Sequence, residues 1–149
     1  LCKKINFPIV LVGGPEDAKE GDAVAAIDPI KIYNACGKFS LNESASIVQK
    51  SRVVISHDTG LQYIACAFNK PVLAIWGSTS PMLQVEPYYG EATAPAMGLS
   101  MPPYQNFIVP HLTCQPCSNY GTKKCPKGHF NCMMLQDTTA IAAAVEKYL

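Results

Sequence analysis

The sequence predicts an α/β fold: a Rossmann-like, three-layer domain on a mainly parallel sheet. Three observations lead there. Apolar runs at residues 7–12, 53–56 and 72–76 are rich in Val, Ile and Leu and stop at Gly, Ser or His. Segments of helical spacing separate those runs. Strands alternating with helices at this interval need crossover connections, which make neighbouring strands parallel and cover both faces of the sheet.

Taken in order, Phe7-Pro8-Ile9-Val10-Leu11-Val12 is a buried strand stopped by Gly13-Gly14-Pro15. Residues 16–26 form a helix with early acidic residues, as the dipole favours, although Gly21 weakens it. Residues 32–35 are a short second strand. Ser40 and Glu43 make a capping box, each able to satisfy the other's backbone N–H. The helix it opens runs to Lys50, with Leu41, Ala45 and Val48 on one face. Strands follow at 53–56 and 72–76, around a helix at 61–69. Residues 77–105 lack periodicity and read as a loop excursion, and 106–109 as the last strand. A cysteine-rich segment at 111–136 precedes a closing helix at 138–149. Asp137 or Thr138 caps that helix, and Ile141, Val145 and Leu149 share its register. The whole of 1–149 is read as a single Rossmann-like domain, without repeats.

Composition narrows the function. Hydrophobic residues are 48% of 149, so the chain is globular. Charged residues are only 15%, against about 25% in an average domain, which suggests a surface that packs against something else. A formal charge of +1 without a Lys/Arg run excludes an electrostatic nucleic-acid binder. No apolar stretch reaches the roughly 18 residues of a membrane span. Leu1-Cys2-Lys3-Lys4 has no leader pattern, and the missing Met reads as a fragment. Seven cysteines, an odd number scattered through an α/β pattern, point to a reducing compartment. Cys36 and Cys66 read as small buried apolar groups, and Cys2 as a frayed terminal residue.

The chemistry concentrates in His57-Asp58-Thr59-Gly60-Leu61, between two central strand candidates. The carboxyl edge of a parallel sheet is where such folds bind ligands. A helix N-terminus there offers unpaired N–H groups and positive dipole, which suit a phosphate. The competing reading is an ordinary N-cap by Asp58 or Thr59. A second small-residue strand end, Gly77-Ser78-Thr79-Ser80-Pro81, is expected beside it. Cys114, Cys117, Cys125 and Cys132 fall within 19 residues, with His129 as a fifth donor. They are candidate structural zinc ligands, with free or partly oxidised thiols as the other reading.

The ordered set of these segments resembles the heptosyltransferase-type glycosyltransferases of lipopolysaccharide core assembly. It comprises Asp58-Thr59-Gly60-Leu61, then Ile64-Ala65-Cys66-Ala67-Phe68, then residues 71–81, flanked by residues 10–17, 37–41 and the cysteine segment. The resemblance covers about residues 7 to 136 and implies the C-terminal, donor-binding half of a two-Rossmann-domain enzyme. It implies that Thr59, Gly60 and Leu61 offer N–H groups to a diphosphate, that Asp58 faces sugar hydroxyls, that Glu16 faces the ribose and that Phe39 lies beside the base. Thr79 would join the donor site from the second strand end. Tyr63 stands where many members carry a phosphate-side His, and a phenol cannot carry positive charge near neutral pH. The resemblance further implies a nucleotide-diphosphate sugar as donor and a lipopolysaccharide core acceptor met through an N-terminal domain. The resemblance also implies that no cofactor is required and that the full-length enzyme is cytoplasmic, peripheral at the inner membrane. The catalytic base belongs to that other domain, so no catalytic residue is expected here and the chain alone is expected to be inactive. The alternative is a non-catalytic nucleotide-binding or interaction domain derived from the same family.

Overall fold

The computed structural model describes residue 1, residues 3–90, 95–99 and 102–149; Cys2 and the middle of the loop at 77–105 lie outside the described residues. The chain divides into two compact units, Leu1–Ile47 and Val48–Leu149.

The first unit contains strand β1 (Ile9–Leu11), a 3-10 turn at Pro15–Asp17, helix α1 (Ala18–Ala25) and strand β2 (Ile32–Asn34). β1 and β2 pair in parallel, Ile9 against Ile32. α1 is shorter than expected because Pro15 to Asp17 tighten into the 3-10 turn. Gly21, read as a weakness, is instead a packing requirement. It is buried, and a Cβ there would run into the Asn34 side chain. That side chain donates to the Ala18 carbonyl at 2.9 Å and the Asp22 carboxylate at 2.7 Å, and accepts from the Cys36 N–H at 3.0 Å. A buried amide with these bonds met is worth more than the helix propensity Gly21 forgoes.

Helix α2 (Leu41–Lys50) follows the first unit's last loop. Its capping box forms as expected: the Ser40 N–H donates to Glu43 at 2.8 Å and the Glu43 N–H to the Ser40 hydroxyl at 3.4 Å. The buried positions are Ser44 and Val48, while Leu41 is 68% exposed. Leu41 sits at the first helical position, where the helix has not yet turned its apolar stripe inward.

The second unit holds strand β3 (Val54–Ser56), helix α3 (Gly60–Ala67), strands β4 (Val72–Ile75) and β5 (Tyr104–Phe107), a short helix α4 (Asn131–Met134) and helix α5 (Thr138–Glu146). The sheet order is β3-β4-β5, and every pair is parallel. Described strand pairing thus falls into two parallel sheets rather than one. β5 begins two residues before the expected strand, because Tyr104 pairs with Val72 at the start of β4. In this unit the central strand is the best covered: Val72, Leu73 and Ala74 are buried, whereas Ile55 on β3 is 42% exposed. The core of this unit gathers Val48, Ala65, Cys66, Val72, Ala74 and Trp76, with Val54, Leu61, Ile64 and Tyr104 packed around them. Cys36 and Cys66 are buried, as read, and burial pushes both thiols up from their ordinary range. Asp137 is the cap of α5, accepting from the N–H groups of Thr139 and Ala140 at 3.0 and 2.9 Å. Ile141 and Val145 face inward from that helix. Among the described residues no helix is long and apolar enough to cross a membrane.

Candidate functional site

The turn at residues 57–61 leaves the carboxyl end of β3 and opens α3. Its shape is set by internal polar contacts. The Ser56 hydroxyl donates to the His57 carbonyl at 2.8 Å and lies 3.3 Å from the Thr59 hydroxyl. His57 Nδ1 is 2.9 Å from the Ile75 carbonyl, the last residue of β4. A carbonyl only accepts, so Nδ1 carries the proton. His57 therefore fastens the turn to the neighbouring strand.

Thr59 is the N-cap residue in extended conformation, but neither its side chain nor that of Asp58 caps the helix. This departs from the expected N-cap, because the Thr59 hydroxyl is turned toward Ser56. The first N–H groups of a helix have no intrahelical partner, so α3 begins without the side-chain cap that usually satisfies them. A Cβ at Gly60 would meet no protein atom within 4 Å. Packing does not demand the glycine; it leaves the backbone open to an approaching group. Asp58 is half-buried beside it.

Tyr63, one helical turn on, does not extend toward this opening unpartnered. Its hydroxyl donates to the Val85 carbonyl at 2.9 Å, and that carbonyl also accepts from Gln62 Nε2 at 3.1 Å. Burial, and then the negative charge of Asp58, keep the phenol protonated above its ordinary range. Gln62 is fully buried with its Oε1 unpartnered among the described residues.

The second strand end is held from outside the sheet, a feature that spacing did not reveal. Trp76 is fully buried, and its indole N–H donates to Asn106 at 2.9 Å. Beyond it the chain leaves the sheet, so its carbonyls lose their ladder partners. Two glutamine amides take their place. Gln115 Nε2 lies 2.6 Å from the Gly77 carbonyl and 3.0 Å from that of Thr79. Gln136 Nε2 reaches the Trp76 carbonyl at 3.0 Å. The cysteine-rich segment adds main-chain bonds, Cys117 N–H to the Ser78 carbonyl at 2.9 Å and Thr122 N–H to the Ser78 hydroxyl at 3.0 Å. Buried main-chain carbonyls need such partners. Thr79 is itself buried at 6% exposure, so its side chain lies within this support.

Among the described residues no group of three or more His, Cys, Asp or Glu side chains is placed to hold a metal ion. Cys114 Sγ lies 3.9 Å from His129 Nε2. His129 Nδ1 accepts from the Asn131 N–H at 3.0 Å, which leaves the neutral ring's proton on Nε2, toward the sulfur. The Phe130 backbone N–H and those of nearby residues hold the Cys125 thiol below its ordinary range. Cys132 is buried, and desolvation raises its thiol.

In the first unit, Glu16 lies in the 3-10 turn after β1 and is exposed; Phe39 is 40% exposed on the loop after β2. Gly37 has φ 69° and lies so close to Pro15 that a Cβ would come 2.8 Å from its Cα. Its N–H donates to the Gly13 carbonyl at 3.0 Å. The loops carrying Glu16 and Phe39 are thereby joined at the carboxyl ends of β1 and β2.

The family model of glycosyltransferase family 9 (heptosyltransferase) matches residues 2–123. Over 80 residues, the chain is 32% identical to lipooligosaccharide heptosyltransferase 2 of Haemophilus influenzae and 27% identical to lipopolysaccharide heptosyltransferase 2 of Escherichia coli; each match covers 51% of this chain. Those matches span 23% of either relative, about a quarter of its length. The fold is similar to a glycosyl transferase family 9 protein from Veillonella parvula, with TM-score 0.61, 20% identity and 95% of this chain and 36% of that one covered. It is also similar to E. coli ADP-heptose lps heptosyltransferase II, with TM-score 0.56 and 20% identity over 72% of this chain and 29% of that one.

Proposed function

The chain belongs to glycosyltransferase family 9, the heptosyltransferase family, and from that premise we propose that the turn at residues 58–61 binds the diphosphate of a nucleotide-sugar donor. The supporting observation is the start of α3: a helix N-terminus without a side-chain cap, behind a glycine whose outer side is open. Thr59, Gly60 and Leu61 present N–H groups to the phosphates, and Asp58 accepts from sugar hydroxyls. As the glycosidic bond breaks, negative charge develops on the leaving diphosphate. Donors and dipole aimed there stabilise it more than the intact donor, which is the differential that catalysis needs. A helix N-terminus contributes about 0.3–1 kcal/mol, up to about 2 when partly buried, so the oriented N–H groups carry much of the effect.

Tyr63 and Thr79 serve this reading as positioning residues, because the phenol holds Val85 and Thr79 lies inside the support at the end of β4. Glu16 and Phe39 are assigned to the nucleoside: a carboxylate suits a ribose diol and an aromatic face suits a base. In the whole protein the sugar, a heptose by the names of the relatives, passes to a lipopolysaccharide core acceptor at the cytoplasmic side of the inner membrane. The base that activates the acceptor is assigned to residues outside this chain, so the chain alone binds donor without turnover.

Calorimetric titration with ADP, GDP and UDP tests the proposal. At least one should bind at millimolar concentration or below, and Asp58→Ala should weaken a donor sugar nucleotide about tenfold, the loss of one charge-assisted hydrogen bond. Absence of binding by all three overturns it.

A further inference from the structure

The described cysteines divide by accessibility. Cys36, Cys66 and Cys132 are buried, Cys114 and Cys125 are half-buried and Cys117 is exposed. Among the described residues no three donors are placed around one metal centre, so what these thiols can do is decided pair by pair.

Cys114 and Cys117 stand three positions apart in Cys114-Gln115-Pro116-Cys117. That is the spacing of dithiol–disulfide exchange motifs, in which a tight stretch of chain brings two sulfurs into bonding reach. His129 Nε2 faces Cys114 Sγ at 3.9 Å, and the ring proton is on that nitrogen because Nδ1 accepts from the Asn131 N–H at 3.0 Å. A donor there supports the negative sulfur that attacks a disulfide. Cys125 differs: its sulfur is engaged by the main-chain N–H groups of Phe130, Lys127, Gly128 and His129.

The two residues between the thiols are not idle. Gln115 Nε2 reaches the carbonyls of Trp76, Gly77 and Thr79 at 3.3, 2.6 and 3.0 Å. The Cys117 N–H donates to the Ser78 carbonyl at 2.9 Å. The pair thus brackets the side chain that holds the end of β4. A disulfide fixes its sulfurs at bonding distance with a defined torsion, so closing it reorients the residues it spans.

We propose that Cys114 and Cys117 are a thiol–disulfide exchange site for small disulfides of the glutathione class, and that their oxidation is felt at the end of β4. The Cys114 thiolate attacks one sulfur of the oxidant and releases one thiol, leaving a mixed disulfide. Cys117 gives up its proton and attacks the Cys114 sulfur, which releases the second thiol. Two protein thiols are oxidised, one disulfide is reduced, and the two protein protons end on the released thiols. None of this needs a donor at residues 58–61, so the proposal stands apart from that reading.

The reduced chain is incubated with glutathione disulfide, its remaining thiols are alkylated in urea, and its peptides are mapped by mass spectrometry. Cys114 and Cys117 should be recovered unalkylated, in a peptide lighter by two hydrogen atoms, with Cys36 and Cys66 alkylated. Cys117→Ser should trap a glutathione adduct on Cys114, and His129→Ala should slow its formation about threefold, the lost thiolate being partly offset by higher nucleophilicity. Oxidation should move the NMR amide signals of Gly77, Ser78 and Thr79 and leave those of Gly21 and Asn34. Free thiols at both positions, a bond that runs to Cys125 or Cys132, an unchanged rate in His129→Ala, or unmoved amides at 77–79 overturns the proposal. So does equimolar zinc that shields all four cysteines of the segment from alkylation under native conditions, which would assign them to a metal.

Discussion

Gln115 Nε2 sits 2.6 Å from the carbonyl oxygen of Gly77, joining the cysteine-rich segment to the end of the central strand. The same amide nitrogen also reaches the carbonyls of Trp76 and Thr79, at 3.3 and 3.0 Å. Gln115→Glu keeps the size and removes the donor, placing a carboxylate against three carbonyls. It should cost more than Gln115→Ala, itself about 1–3 kcal/mol for unmet buried carbonyls. Urea unfolding of the two variants measures the order; equal or negligible losses would show that the amide is not a staple.

Gly21→Ala opposes two effects of known sign. Alanine gains about 1 kcal/mol of helix propensity over glycine. Its Cβ would displace Asn34, whose amide meets Ala18, Asp22 and Cys36. Losing two of those bonds, at about 1 kcal/mol or more each, outweighs the gain. The variant should be less stable than the wild type by denaturant midpoint, and Gly21→Ala with Asn34→Ala should lose little beyond Asn34→Ala alone.

The capping box of α2 gives a pH signature. The Ser40 N–H, and then its hydroxyl, hold the Glu43 carboxyl below its ordinary value of 4.5. A depressed carboxyl contributes stability that is present above that value and lost as pH falls through the lower folded one. The gap in urea midpoint between wild type and Glu43→Ala should therefore be widest at neutral pH and narrow as pH falls below the ordinary carboxyl value. A gap independent of pH would show that the carboxylate is not engaged.

Much of this was legible in the sequence because it was local. The capping box at Ser40 and Glu43, the Asp137 cap and the β4 run each depend on neighbours within a few positions. The contacts that were not legible join distant residues. Gln115 and Gln136 hold β4 across 38 and 60 positions of sequence, and no periodicity announces such a pair. Gly21 looked like a defect because its reason, Asn34, lies on another element. At the site, the turn's place at the end of β3 followed from strand-turn-helix order, whereas the diversion of Thr59 toward Ser56 and of Tyr63 toward Val85 depends on side-chain partners outside the motif.

The central claim is that α3 begins at a phosphate site. Backbone amide NMR of ¹⁵N-labelled chain titrated with ADP tests it most directly. The account predicts the largest shift changes at Thr59, Gly60 and Leu61, reduced in Asp58→Ala when a sugar-bearing nucleotide replaces ADP. Unmoved amides at those three positions at millimolar ADP, or changes confined to amides away from the start of α3, would contradict it.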